Sequence, residues 1–329
     1  MITLKPQSRF RGALVGVLTG DALGAPYEGW VGARVEEDLE KRGGLMPFDY
    51  ENPWYGKTET VKTFPKGRPT DDSDHTAVLA QSLIDHNGLN EKELYYSLRR
   101  VIANQWSPLW EGKAVGAGKT TRTMLAPETY EESVKISAKG AYPSNGSLMR
   151  SAPMALYFAA TRREGGIDPY AVLRMSSVTH RHPLSRECCV AYVAILTELL
   201  RGEYHPEIAI KRVRFLLRPW RQEVEEILDY PTLTPQDPGS WKEGWGSAAL
   251  TLRIALWVLT TTSSFREGMT LAVSFGGDTD TYAAVAGGLL GAYYGEEAIP
   301  HEWRDVLLGR TVMENLADEF SIIANEHLL

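Results

Sequence analysis

An all-α fold is what this sequence predicts, on three observations. Glycines recur every fourth residue in two apolar segments, several further stretches carry helical periodicity, and neither hairpin signals nor alternating strand and helix patterns interrupt them. Gly12, Gly16, Gly20 and Gly24 run through RGALVGVLTGDALG, and Gly287, Gly291 and Gly295 repeat the spacing through AGGLLGAYYG. A spacing of four aligns residues on one helical stripe. Glycine weakens a helix by about 1 kcal/mol relative to alanine, so such a stripe implies another backbone packed closely against it. Two tightly packed core helices follow. A membrane GxxxG helix does not fit, because Arg9, Arg11, Asp21 and Glu28 bracket or interrupt the first segment and Glu296 and Glu297 end the second.

The other helices are expected, in order, over 74–83, 91–102, 185–200, 206–217, 247–259 and 299–324. Ser185, two residues after Pro183, reads as the N-cap of a long apolar helix that carries Cys188 and Cys189. Adjacent cysteines make poor partners for a disulfide or a zinc site, so both are read as buried helix residues. Segments 41–69 and 230–246 are rich in Gly, Pro and aromatics, which marks ordered loops. No charge block or low-complexity tract divides the chain, and one domain over residues 1–329 is the simplest architecture.

With 329 residues, 43% hydrophobic side chains and a formal charge of -7, the chain has ample material for a large core. That charge gives no general attraction to nucleic acid. The N-terminus lacks an apolar stretch of signal-peptide length, and no run of about eighteen apolar residues occurs, so a cytoplasmic protein without a membrane span is expected. No long uncompensated apolar stripe is visible, which favours a monomer.

Two clusters of hydroxyls and carboxylates carry the chemistry: Thr70-Asp71-Asp72-Ser73 and Asp278-Thr279-Asp280-Thr281. Each stands at a predicted helix start, where one such residue would serve as a cap. Four exceed what capping needs. Side-by-side carboxylates repel, and a divalent ion with oxygen ligands is the usual offset. Neither cluster continues as an EF-hand loop. Thr70, Asp71 and Asp72 set against Asp278, Asp280 and Thr281 supply enough oxygens for two Mg²⁺ or Mn²⁺ ions sharing a carboxylate.

At this point the sequence resembles the ADP-ribosylglycohydrolase family. The ordered landmarks are GALVGVLTGDALGAPYE (12–28), TDDSDHTAVLA (70–80), SNGSLMRSAPMAL (144–156), SSVTHRHPLS (176–185) and LAVSFGGDTDTYAAVAGGLLGAYYGEEAIP (271–300), which together span nearly the whole chain. The resemblance implies a single-domain, all-α orthogonal bundle with a dinuclear metal centre at the base of an ADP-ribose cleft. It implies that Thr70, Asp71, Asp72 and Asp280 hold one ion, and Asp278, Asp280 and Thr281 the second. Glu28 matches an acidic residue that ligates metal or gates substrate in relatives. Ser144, Asn145, Gly146, Ser147, Leu148, Met149 and Arg150 match the loop around the ADP-ribose phosphates and distal ribose, where small residues let backbone N–H groups approach an anion. Read without the resemblance, the same segment is an Asn-Gly turn into an apolar helix. His180 matches a ligand-contacting histidine, whereas His75 and His182 have weaker claims. Trp241 and Trp245 lie where relatives place residues near the adenosine. The chain departs from the family at Ser73, usually Thr, and at Ser144, usually Gly, and the second change puts ligand preference in question.

The implied activity is metal-assisted hydrolysis of the C1″ glycosidic bond in an ADP-ribosylated protein or small molecule, releasing ADP-ribose. Asp71, Asp72 or Glu28 would take a proton from the attacking water. Hydrolysis of another ribosyl metabolite or of modified nucleic acid, or a non-catalytic role like that of related lens crystallins, stands beside it. Acceptor recognition is expected at the cleft rim, in segments such as 41–69 and 112–141.

Overall fold

In the computed structural model, the described residues are 4–52, 63–104, 106–161, 166–202, 205–229 and 244–326. The chain forms an all-α bundle. In chain order the helices are α1 (Pro6–Gly24), α2 (Gly32–Arg42), α3 (Asp71–Asp85), α4 (Glu91–Asn104), α5 (Lys119–Leu125) and α6 (Tyr130–Val134). They continue with α7 (Ala152–Ala160), α8 (Pro169–Ser177), α9 (Pro183–Leu200), α10 (Pro206–Leu216) and α11 (Gln222–Asp229). The last are α12 (Ala248–Thr261), α13 (Phe265–Ser274), α14 (Thr279–Tyr294), α15 (His301–Arg304) and α16 (Arg310–Glu326). Extended pairing among the described residues is limited to isolated bridges joining Val31 to Gly276, Tyr50 to Phe64 and Ser144 to Ser247.

The glycine stripes make the central contact. A Cβ at Gly12 would lie 2.1 Å from the Gly291 carbonyl oxygen, at Gly16 2.2 Å from that of Gly287, at Gly20 2.0 Å from that of Ala283, and at Gly24 2.3 Å from that of Thr279. These four pairs run antiparallel in steps of four, so α1 and α14 lie backbone against backbone along almost their whole length. Around them pack α7, α9, α12 and α13, whose inward faces form one large hydrophobic cluster. Cys188 and Cys189 are fully buried in α9, and neither is in a disulfide. No helix among the described residues is long and apolar enough to cross a membrane.

Several boundaries differ from the sequence reading. Gly295 is outside the stripe: it ends α14 with φ +83°, a conformation that favours glycine. The cap of α9 is His182, whose Nδ1 accepts from the Leu184 N–H at 3.2 Å, while Pro183 fills the first helical position. Ser185 lies inside the helix and donates to the Ser144 carbonyl instead. The span 299–324 breaks into α15 and α16 around Gly309, whose φ is +87°. Segment 112–141 is not loop throughout, since α5 and α6 fall within it.

Candidate metal centre and ligand cleft

Zipping α1 onto α14 decides where the acidic residues meet. Gly20 and Gly24 face Ala283 and Thr279, so Asp21 is carried to the side of Asp280 in the fully buried interior. Asp21 then fastens the first cluster. Its Oδ1 accepts from the Thr70 N–H at 3.0 Å and the Thr70 hydroxyl at 2.8 Å; its Oδ2 accepts from the Ser73 N–H at 3.0 Å and the Ser73 hydroxyl at 2.5 Å. These donors are the orphan N–H groups and capping hydroxyls at the start of α3, answered here by a carboxylate from another helix. The hydroxyl of Ser73 is therefore engaged, as a threonine's would be. Sequence reasoning missed Asp21. The available signal was an acidic residue on the closely packed side of a glycine-striped helix, where an unpartnered carboxylate is costly.

Two groups of carboxylates result. Oxygens of Asp21, Asp72 and Asp280 lie within 4.8 Å of one another, and so do oxygens of Glu28, Asp278 and Asp280. Asp280 belongs to both. These four donors occupy the Asp21 oxygens, the Thr70 N–H being shared between both, which makes Asp21 an orienting group more than an open ligand. Asp71 stands outside both groups: its Oδ1 would lie 2.2 Å from a Cβ at Gly116, and its Oδ2 is 3.8 Å from His75 Nδ1. Thr70 Oγ1 lies 3.2 Å from Asp72 Oδ2, and the Thr281 N–H donates to Asp280 Oδ1 at 2.8 Å.

Electrostatics mark this place as unsatisfied without a cation. Burial, followed by repulsion from Asp280, pushes the Asp71, Asp72 and Asp278 carboxyls well above the usual range. The same two causes raise Asp21 to about 7 despite its hydrogen bonds from Ser73 and Thr70. Asp72 Oδ1 is buried with no hydrogen-bond partner. An all-oxygen donor set, mutual repulsion and an orphaned buried oxygen together fit a hard divalent cation. His75 does not join it: burial, then the nearby Arg150 charge, depresses the imidazole to about 3, so it stays neutral beneath Asp71.

Glu28 is brought to this centre by backbone pairing. The Gly29 N–H donates to the Gly277 carbonyl and the Gly277 N–H to the Trp30 carbonyl, both at 2.7 Å. The turn through Gly276 and Gly277, with φ of +67° and +79°, makes that pairing possible. Half-buried Glu28 is thus fixed relative to Asp278 and Asp280.

A cleft of about 460 Å³ opens above the carboxylates. Of the residues singled out in the sequence, Glu28, Asp71, Asp72, Ser144, Asn145, Gly146, Met149, His180, Trp245, Asp278, Asp280 and Thr281 line it. Ser147, Leu148 and Arg150 do not; they are fully buried behind the wall, because the helical turn that starts at Asn145 directs their side chains into the core and leaves Met149 toward the cleft. Thr70 is likewise fully buried and held by Asp21. The Asn145 amide is committed to protein acceptors, at 2.9 Å to Thr251 Oγ1 and 2.8 Å to Asp278 Oδ2. His182 serves as a helix cap, and Trp241 lies outside the described residues. Trp245 is 42% exposed and covers Gly277, where a Cβ would sit 2.7 Å from its ring. Lys119, Thr120, Thr121 and Tyr142 also line the cleft. They come from segment 112–141 and its C-terminal edge, whose sequence has no periodicity to place them.

Known proteins similar to this chain fall in the same family. The family model described as ADP-ribosylglycohydrolase matches residues 3–327. ADP-ribosylhydrolase ARH3 of Mus musculus is 26% identical, over 97% of this chain and 92% of its own length. ADP-ribosylarginine hydrolase Tri1 of Pseudomonas putida strain GB-1 is 28% identical, over 96% of this chain and 80% of its own. A solved structure titled ADP-ribosylglycohydrolase-related protein complex superposes with a TM-score of 0.73 at 30% identity, covering 97% of this chain and 99% of that one.

Proposed function

The chain belongs to the ADP-ribosylglycohydrolase family, and on that premise we propose that it removes ADP-ribose from a modified acceptor by cutting the C1″ glycosidic bond with the help of two divalent ions, Mg²⁺ or Mn²⁺. The observation that carries this reading is the sharing of Asp280 between two carboxylate groups at the floor of one cleft. Asp72 and Asp280, with the Thr70 hydroxyl nearby, would hold one ion; Glu28, Asp278, Asp280 and Thr281 would hold the other. Asp280 would bridge. Divalent charge here would offset the carboxylates, orient ribose hydroxyls and acidify a nearby water.

The protein's own groups divide the remaining work. Asp21 keeps Thr70 and Ser73, and hence the start of α3, in register with α14. Asn145 fixes the Asp278 carboxylate from the side of the phosphate loop. Asp71 faces the cleft from outside both carboxylate groups, so it can accept the water's proton without stripping a ligand from an ion. Ser144 to Gly146, with His180, form the wall against which the diphosphate would lie, the small residues Ser144 and Gly146 permitting close approach. Attack then occurs on an oxocarbenium-like C1″ carbon, and the bond to the acceptor breaks. The reading treats residues 1–329 as one domain acting as a monomer on an ADP-ribosylated protein or small molecule.

Its test is release of free ADP-ribose from arginine-, serine- and nucleobase-linked substrates, each with Mg²⁺, with Mn²⁺ and after chelation. Metal-dependent release from one linkage supports the reading and identifies the acceptor. No release from any substrate by protein that binds both metal and ADP-ribose would overturn it.

A further inference from the structure

Behind the cleft wall, Arg150, Thr179 and His180 form a buried polar chain that the carboxylate centre does not use. Arg150 is fully buried; its Nη1 donates to the Gly146 carbonyl at 3.1 Å and its Nη2 to Thr179 Oγ1 at 2.7 Å. Thr179 Oγ1 in turn lies 2.7 Å from His180 Nδ1. A guanidinium can only donate, so the threonine oxygen accepts from it and the hydroxyl proton must point elsewhere. A buried O–H without an acceptor is costly, and among the described residues the acceptor within reach is His180 Nδ1. A ring nitrogen that accepts carries no proton. Burial, then the Arg150 charge and His75, hold the His180 imidazole well below its ordinary value, so the ring is neutral. Its single proton therefore resides on Nε2.

That edge of the ring faces the cleft. A Cβ at Gly146 would lie 2.9 Å from His180 Nε2 and 3.2 Å from Thr121 Oγ1, so only glycine lets the ring reach the wall. The His180 backbone is pinned as well: its N–H donates to the Ser176 carbonyl at 2.7 Å, and the Ser176 hydroxyl donates to the His180 carbonyl at 3.1 Å.

We infer that Thr179 is a positioning residue, which locks His180 as the Nε2–H tautomer and so presents a permanent hydrogen-bond donor to an anionic ligand in the cleft. The identity of that anion, the diphosphate of ADP-ribose, rests on the proposed function; the tautomer does not. A neutral donor suits this position, because it holds a phosphate oxygen without a charge that pH could remove, next to an Arg150 charge already shielded behind the wall.

The test is ¹⁵N nuclear magnetic resonance of histidine-labelled full-length protein, wild type and with Thr179→Val and Thr179→Ser, together with ADP-ribose binding by calorimetry. Wild type and Thr179→Ser should show His180 with a protonated Nε2 and an unprotonated Nδ1. Thr179→Val, checked for an unchanged circular dichroism spectrum and melting profile, should show a mixed or reversed tautomer and about tenfold weaker ADP-ribose binding, the loss of one hydrogen bond's worth. A wild-type His180 protonated on Nδ1, or a Thr179→Val spectrum with His180 unchanged, would overturn the inference. The expected tautomers without any ADP-ribose binding by the wild type would uphold the role of Thr179 and count against the proposed ligand.

Discussion

Asn145 and Asp278 are joined by a 2.8 Å hydrogen bond from the amide to the carboxylate, although they lie on different walls of the cleft. The same amide also holds Thr251 in α12. A residue whose place in the sequence suggests a phosphate contact is therefore an orienting group for the carboxylate centre, and it couples the ligand loop to the metal loop. Asn145→Ala should weaken Mn²⁺ binding by about 10- to 100-fold, in the range of groups that orient metal ligands, and should raise KM as well. Titration of Mn²⁺ followed by electron paramagnetic resonance measures the first effect. Unchanged Mn²⁺ affinity would show that Asp278 holds its position without Asn145.

Asp71 and Asp72 are neighbours with opposite surroundings. Asp72 belongs to a carboxylate group and has an unpartnered buried oxygen; Asp71 belongs to neither group and packs directly against Gly116. Asp72→Asn should therefore lower metal affinity together with kcat. Asp71→Asn should lower kcat by 100-fold or more, on the order expected for loss of a general base, with metal affinity kept within about threefold. Equal loss of metal in both variants would remove the distinction.

The contact between α1 and α14 sets two principles against each other. Propensity alone says that Gly16→Ala should stabilise the helix by about 1 kcal/mol. Packing says the reverse, since the new Cβ would meet the Gly287 carbonyl oxygen at 2.2 Å and neither backbone can move without opening the whole seam. A net loss of about 3 kcal/mol or more is expected, seen as a lower urea midpoint, with ligand and metal affinity falling as Asp21 shifts relative to Asp280. A midpoint equal to or above wild type would refute the backbone-to-backbone packing.

Stability should depend on pH in the direction opposite to that of an ordinary salt-bridged carboxylate. Asp21 is pushed up to about 7 by burial and by Asp280, so between the ordinary carboxyl range and about pH 7 the folded chain binds more protons than the unfolded one. Metal-free protein therefore loses stability as pH rises through that window, by about 1.4 kcal/mol per pH unit for one such proton. Bound Mg²⁺ or Mn²⁺ should abolish the slope and release protons on binding. Thermal melts of chelated protein at pH 5 and pH 8 decide this; a higher melting temperature at pH 8 would contradict it.

How much of this could be seen in the sequence varies with the kind of signal. The glycine stripes predicted the central helix pair because a cost repeated every four residues has a single explanation, close approach. Asp72, Asp278 and Asp280 stood out in the sequence because crowded carboxylates are themselves improbable without a cation, whereas Glu28 stood out only through the family resemblance. Asp21 was not, since a lone acid inside a helix reads as an interruption until the partner helix is in place. Lys119, Thr121 and Tyr142 were invisible for a different reason: a segment without periodicity gives no clue to which of its residues face a cleft. The loop at 144–150 was half legible, as Ser144 to Gly146 reach the cleft while Ser147, Leu148 and Arg150 turn into the core. Local geometry, and not residue type, made that division.

The proposed function has two carboxylate groups sharing Asp280 hold the ions on which glycosidic cleavage depends. Its most direct measurement is the rate of ADP-ribose release as Mn²⁺ is returned to chelated protein, with bound ions counted per chain, for wild type and Asp280→Ala. Expected are no release from metal-free protein, full release at two ions per chain, and a loss of more than about 100-fold in Asp280→Ala, beyond that of groups that only orient a ligand. Undiminished release from metal-free protein, or near-normal turnover by Asp280→Ala, would contradict it.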